Sequence, residues 1–158
     1  YDKHKKLQDF TRELNKFYKK TPALWQVDYS WEGFQWISSE DNANSVIAFR
    51  RIDKSGKEII AVFNFTPNSF DEYRIGVPEK GTYKTIFDTS LSKYGGEKVR
   101  LSGTYKSKDK PVNGYDESIG LKLSGLSAIY LERTEAKKSA KNKKTTNKSK
   151  EIKNGTKK

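Results

Sequence analysis

Ser45-Val46-Ile47-Ala48-Phe49-Arg50-Arg51-Ile52, then Asp53-Lys54-Ser55-Gly56-Lys57, then Glu58-Ile59-Ile60-Ala61-Val62-Phe63-Asn64-Phe65, is the stretch that decides the fold. Two runs rich in β-branched and aromatic residues flank a polar segment, and Lys54-Ser55-Gly56-Lys57 is turn chemistry. That pattern predicts a β-hairpin. The second run is apolar from Ile59 to Phe63 without alternation, so both faces of its strand are expected to be covered. Working outward, short apolar or alternating runs recur at 34–37, 73–77, 81–87, 98–101, 119–123 and 127–132, separated by Gly, Pro or Asn. Eight short strands at this spacing predict a mainly β fold, an antiparallel β-sandwich. The polar stretch 102–117 reads as a long surface loop.

The period is different before Pro22. Leu7, Phe10, Leu14, Phe17 and Tyr18 share one face of a helix expected over residues 3–19, with Lys and Glu opposite. Pro22 stops it, because the residue before a proline avoids helical geometry. The chain starts Tyr1-Asp2-Lys3 and contains no Met, so it is expected to be a processed product or a piece of something longer.

The 158 residues carry a formal charge of +12. Most of it is local: residues 134–158 hold ten Lys and two Glu, a net of +8, and all 20 aromatics lie at or before Tyr130. Such a segment has too little apolar surface to offset its ordering entropy, so 134–158 is expected to be a disordered basic tail. No aromatics interleave its lysines, which removes the stacking that single-strand binders use. A nucleic-acid partner is therefore expected only non-specifically, through the tail. Zero Cys excludes disulfide scaffolds, thiolate metal sites and Cys nucleophiles. No apolar run spans a membrane and no signal peptide is visible, which points to the cytoplasm.

Catalytic chemistry is absent from the pattern. His4 is the single His, and it sits among Lys3, Lys5 and Lys6 on the polar side of the helix. Asp28, Glu32, Asp41 and Asp88 fall in loops or at strand ends, but no spacing selects two of them as a pair for glycoside chemistry. The aromatics are the other resource. Trp36, inside an apolar strand, is read as core. Trp25, behind Pro22-Ala23-Leu24, is read as packing the junction of helix and sandwich. Trp31 in the polar loop Asp28-Tyr29-Ser30-Trp31-Glu32, and Tyr94 before Gly95-Gly96, are the candidate exposed aromatics, each read equally as a platform for a pyranose ring or as a loop anchor.

Several strings occur in a telling order: Pro22-Ala23-Leu24-Trp25, Gly33-Phe34-Gln35-Trp36-Ile37, Asn64-Phe65-Thr66-Pro67, Tyr73-Arg74-Ile75-Gly76-Val77-Pro78, and Leu121-Lys122-Leu123-Ser124-Gly125-Leu126-Ser127. Over about residues 5–132 they resemble the C-terminal end of bacterial 1,4-α-glucan (glycogen) branching enzymes of the α-amylase superfamily. The resemblance implies three parts. Residues 1–22 would be the last helix of a (β/α)8 catalytic barrel, with its apolar face packed on that barrel. Residues 23–133 would be the C-terminal all-β sandwich, and 134–158 lie outside the likeness. It also implies a parent enzyme that cleaves α-1,4-glucan and transfers the chain to a 6-hydroxyl by a retaining mechanism. The Asp nucleophile and Glu acid/base of that family sit upstream on the barrel, and no residue here matches them. The segment is thus expected to be non-catalytic and cofactor-free, with α-glucan and the upstream barrel as partners. A stand-alone carbohydrate-binding sandwich and a tail-driven anionic-surface binder remain as rival readings.

Overall fold

The computed structural model describes residues 1–134 except Ser102. The basic segment from 135 onward, and with it the expectation of disorder there, lies outside the described residues. Thr134, assigned by the sequence to the tail, ends the last strand.

Helix α1 spans Asp2–Lys20, with an acidic residue in its first turn and Lys19 and Lys20 in its last, as the helix dipole favours. A single 3-10 turn follows at Pro22–Leu24. Nine strands come next among the described residues: β1 Phe34–Asp41, β2 Val46–Ile52, β3 Glu58–Asn64, β4 Phe70–Val77, β5 Thr82–Asp88, β6 Thr104–Lys106, β7 Lys108–Val112, β8 Tyr115–Leu123 and β9 Ser127–Thr134. They form a six-stranded sheet ordered β1-β2-β3-β9-β5-β6 and a three-stranded sheet ordered β4-β8-β7, with every strand pair antiparallel. The expected sandwich is therefore present.

The hairpin β2–β3 is in register from Val46↔Asn64 to Ile52↔Glu58. Ile59, Ile60, Ala61 and Val62 are all buried, as the continuous apolar run predicts. Alternate residues point to opposite faces. Ile60 and Val62 enter the core between the sheets with Val46, Ala48, Ile129 and Leu131, meeting Ile75, Val77, Ile119, Leu121 and Leu123 of the small sheet.

Two strand expectations need correction. Residues 98–101 do not form a strand; Lys98 makes only an isolated bridge to Leu91, and Val99 is exposed. Conversely, 102–117 is not one surface loop, because it contains β6, β7 and the start of β8. β6 and β7 lie at sheet edges, where a strand needs no apolar run to be held. Pro111 fits there because an edge strand can forgo one donor.

Polar side chains tie the layers together. Buried Asn64 donates to the carbonyls of Asn68 and Ser124 at 2.7 and 2.9 Å and accepts from the Thr66 N–H and hydroxyl. Asn64-Phe65-Thr66-Pro67 is thus a clasp between the β3–β4 and β8–β9 turns. In the same row of the sheet, through Val46, the Tyr73 hydroxyl of β4 donates to Asp41 of β1 at 2.5 Å, joining the two sheets. That hydrogen bond, with help from Asn44, holds the Asp41 carboxyl below its usual range.

Asp41 therefore contributes stability while it is ionised and loses it as pH falls through its depressed folded value. Tyr73→Phe is expected to cost about 1 kcal/mol at pH 7. The penalty should begin to fade below about pH 4, where the Asp of the unfolded chain takes up its proton first, and shrink further as the folded carboxylate follows. Urea unfolding at pH 7 and pH 3 measures it; a penalty equal at both would sink the assignment.

Candidate functional site

The outer face of the six-stranded sheet, the face turned away from the small sheet, is aromatic. In β1, Phe34 and Trp36 point outward while Ile37 points to the core. Phe49 of β2 and Phe63 of β3 continue the row, followed by Tyr130 of β9 and Phe87 of β5. Neighbouring ring centroids are 5.0–6.1 Å apart from Phe34 through Phe65, within the range for favourable aromatic pairing. Trp36 is 51% exposed. The expectation that it is core is thus overturned, because it shares strand parity with Phe34 and not with Ile37. Parity alone would have found it. The apolar neighbours on both sides hid it.

Part of this face is covered. Phe17 of α1 stacks on Phe87 at 4.7 Å and meets Tyr130 edge-on at 5.1 Å, and Phe10 packs on Tyr94 and Phe87. The helix therefore has a partner within this chain, contrary to the expectation that its apolar face awaits an absent barrel. Its apolar stripe is wider than the contact, however, and Leu7 and Tyr18 remain exposed.

The other cover is the segment after Pro22, held by Arg51. This outward-facing residue of β2 is buried, and its guanidinium donates to the carbonyls of Ala23, Leu24 and Val27 and to Asp28 at 2.7 Å. Gly33 closes the loop, since a Cβ there would stand 1.8 Å from the Val27 carbonyl oxygen. The loop then presents Tyr29 and Trp31 to solvent, the latter 74% exposed. Trp25 follows the 3-10 turn at the expected junction, with its ring partly exposed. Sequence reasoning missed Arg51 altogether, since nothing in Arg50-Arg51 says which of the two faces the segment after Pro22.

Tyr94 lies in the 3-10 turn Ser92–Tyr94, followed by Gly95 at φ +103° and by Gly96, where a Cβ would meet the Ser90 carbonyl oxygen at 2.0 Å. The turn seats its ring half-buried between Phe10 and Phe87. Tyr94 is a packing residue of the helix contact, unlike the open platform expected of it.

The four carboxylates singled out from the sequence do not converge. Asp28 pairs with Arg51, Glu32 accepts from Ser30, and Asp41 is taken by Tyr73 and Asn44. Asp88 is buried, accepts from Ser90, and pairs with Lys98 at 2.7 Å. Each is committed to a local structural partner. A cleft of about 930 Å³ at one end of the sandwich is lined by mixed charges, including the pairs Arg50–Glu58 and Arg133–Glu79. Burial pushes the Glu58 carboxyl above its usual range despite the opposing Arg50. His4 is exposed on α1. Among the described residues no group of three or more acidic or His side chains is placed to hold a metal, and no helix is long and apolar enough to cross a membrane.

A two-sheet antiparallel sandwich with an aromatic outer face defines a mainly β domain. Residues 36–134 match the alpha amylase C-terminal all-beta domain, and the chain belongs to that family. Among curated proteins it is similar to the 1,4-alpha-glucan branching enzyme GlgB of Prochlorococcus marinus strain NATL1A, with 44% identity over 133 residues. The same enzyme of Synechococcus sp. strain CC9311 is 42% identical over 133 residues. These matches cover 84% of this chain but only 18% and 17% of the relatives. The chain therefore spans about a fifth of the length of the curated relatives it matches, corresponding to their C-terminal regions.

Arg51 carries the strap that presents Trp31. Arg51→Met should lower stability by about 2 kcal/mol, because buried carbonyls lose their donors. Arg51→Lys should not restore it, since an ammonium lacks the forked donor geometry. Urea unfolding and the rate of chymotryptic cleavage at Tyr29 measure the effect; unchanged cleavage would mean the strap is held by something else.

Proposed function

We propose that this chain serves as the C-terminal domain of a 1,4-α-glucan branching enzyme, in glycogen biosynthesis in the cytoplasm. The observation that carries the reading is the 44% identity to a branching enzyme over 133 residues, 84% of this chain. The domain contributes no reacting group. Its carboxylates are spent on structure, and the transfer of an α-1,4-glucan chain to a 6-hydroxyl belongs to the catalytic barrel upstream in the family. Its role is to cover and stabilise that barrel. The loop 28–32 adds a surface contact to α-glucan, with the indole of Trp31 offering a flat face to a pyranose ring. Tyr94, wedged under the helix, keeps only an edge for such a contact.

With amylose as substrate, the chain alone is expected to leave iodine staining unchanged. Joined behind the catalytic region of the Prochlorococcus marinus relative, in place of that protein's matched C-terminal region, it should restore branching. A soluble chimera without branching activity would overturn the reading, and so would turnover by the chain alone. For the glucan contact, electrophoresis of the chain through glycogen-containing gel should show weak retardation that Trp31→Ala abolishes; retardation unaffected by that substitution would remove Trp31 from the site.

A further inference from the structure

The hairpin β7–β8 turns on Val112-Asn113-Gly114-Tyr115, at the edge of the small sheet. Val112 pairs with Tyr115, so the loop has two residues, and both take positive φ, +54° at Asn113 and +78° at Gly114. Such a turn matches the twist of the strands it joins. The Asn113 side chain reaches out of the turn: its Oδ1 accepts the Gly76 N–H of β4 at 3.0 Å. Gly76 has to be glycine for this contact. A Cβ there would stand 2.5 Å from the Val112 carbonyl oxygen and 2.7 Å from the Tyr115 ring. The tip of the hairpin thus lies against the main chain of β4, and Tyr115 beside it packs on the core.

Asn-Gly is also a reactive pair. No side chain shields the glycine nitrogen, so it can attack the asparagine Cγ. The N–Cγ bond forms, the glycine nitrogen gives its proton to solvent, and the amide nitrogen takes up a proton and leaves as ammonia. Water then opens the five-membered imide at either carbonyl, leaving aspartate or isoaspartate, with nothing oxidised or reduced. Among the described residues Asn113-Gly114 is the one Asn-Gly pair. Both residues are exposed, and a Cβ at Gly114 would meet no atom within 4 Å, so the attacking nitrogen is open to solvent. Orientation opposes the reaction. Ring closure needs Cγ aligned on the Gly114 nitrogen, whereas the bond from Gly76 holds the amide carbonyl towards β4.

The two products differ in consequence. Aspartate keeps the main chain as it was and still offers an oxygen to the Gly76 N–H. Isoaspartate carries the main chain through the side-chain carbons and lengthens it by an atom. A two-residue loop pressed on Gly76 has no slack for that atom, so the Val112–Tyr115 pairing and the seat of Tyr115 are lost.

We propose that Asn113 is a covalent modification site of this chain: it deamidates when the tip of the β7–β8 hairpin lifts from β4, and the isoaspartate formed there releases that edge of the small sheet. The site is independent of the glucan chemistry above. Incubation of the chain in mildly alkaline buffer, folded and in urea, tests it. Peptide masses follow the amide-to-acid exchange, and labelling by an isoaspartate methyltransferase follows the isoaspartate. Asn113 should react at least about tenfold more slowly in the folded chain than in the unfolded one, because the tip must open first. Gly76→Ala, which pushes the tip off β4, should raise the folded rate several-fold; the wild-type comparison stands without it if that variant does not fold. The amides of the β7–β8 hairpin should exchange hydrogen faster in chain carrying isoaspartate, whereas Asn113→Asp should exchange as the fresh chain does. Any of three results would overturn the proposal: equal rates in folded and unfolded chain, no reaction at Asn113 even in urea, or hairpin exchange that isoaspartate leaves unchanged.

Discussion

The burial of β3 on both faces constrains everything else in the structure. A strand reading Ile59-Ile60-Ala61-Val62-Phe63 has no polar side to give to water, so the sheet that contains it needs cover above and below. The small sheet supplies the inner cover through Ile75, Ile119, Leu121 and Leu123. The outer cover is pieced together from α1, the 3-10 turn and the strap held by Arg51. These pieces reach Ile59, Tyr130 and Phe87 but leave the rings of β1 and the end of β3 open. The exposed aromatics are the part of that constraint the chain does not meet within its described residues.

Polar chemistry in the sandwich serves this architecture. Asn64 joins two turns, Asp41 and Tyr73 join two sheets, Asp88 and Lys98 hold the loop behind β5, and Arg51 holds the strap. Each is a side chain that would be costly to bury unpaired, and each has its partners. The same residue types in other surroundings do catalysis. Here their geometry points them at backbone groups and at one another, across turns and between sheets.

The hairpin, the sandwich class and the helix were legible in the sequence because they rest on local periodicity. β6 and β7 were not, since edge strands are held by pairing with β5 and β8 and carry no apolar signature of their own. Residues 98–101 had the pattern of a strand but pair only at Lys98, with Leu91. Trp31 was placed correctly as exposed, because a polar loop leaves an indole little to pack on. Trp36 and Tyr94 were misplaced, one by apolar neighbours in sequence and the other by a glycine pair that suggested an open loop.

By itself the sequence determined which segments alternate, which run is apolar on both sides, and which ordered strings resemble the C-terminal region of branching enzymes. Those properties are written in neighbouring residues. Only the tertiary structure decided that α1 turns Phe10 and Phe17 onto the sheet, that Arg51 and not Arg50 faces the strap, and that the aromatic rings of distant strands align into one face. The physical reason is register. A single-residue bulge or shift sends a side chain to the other face of a sheet, and register is set by contacts between strands far apart in the chain.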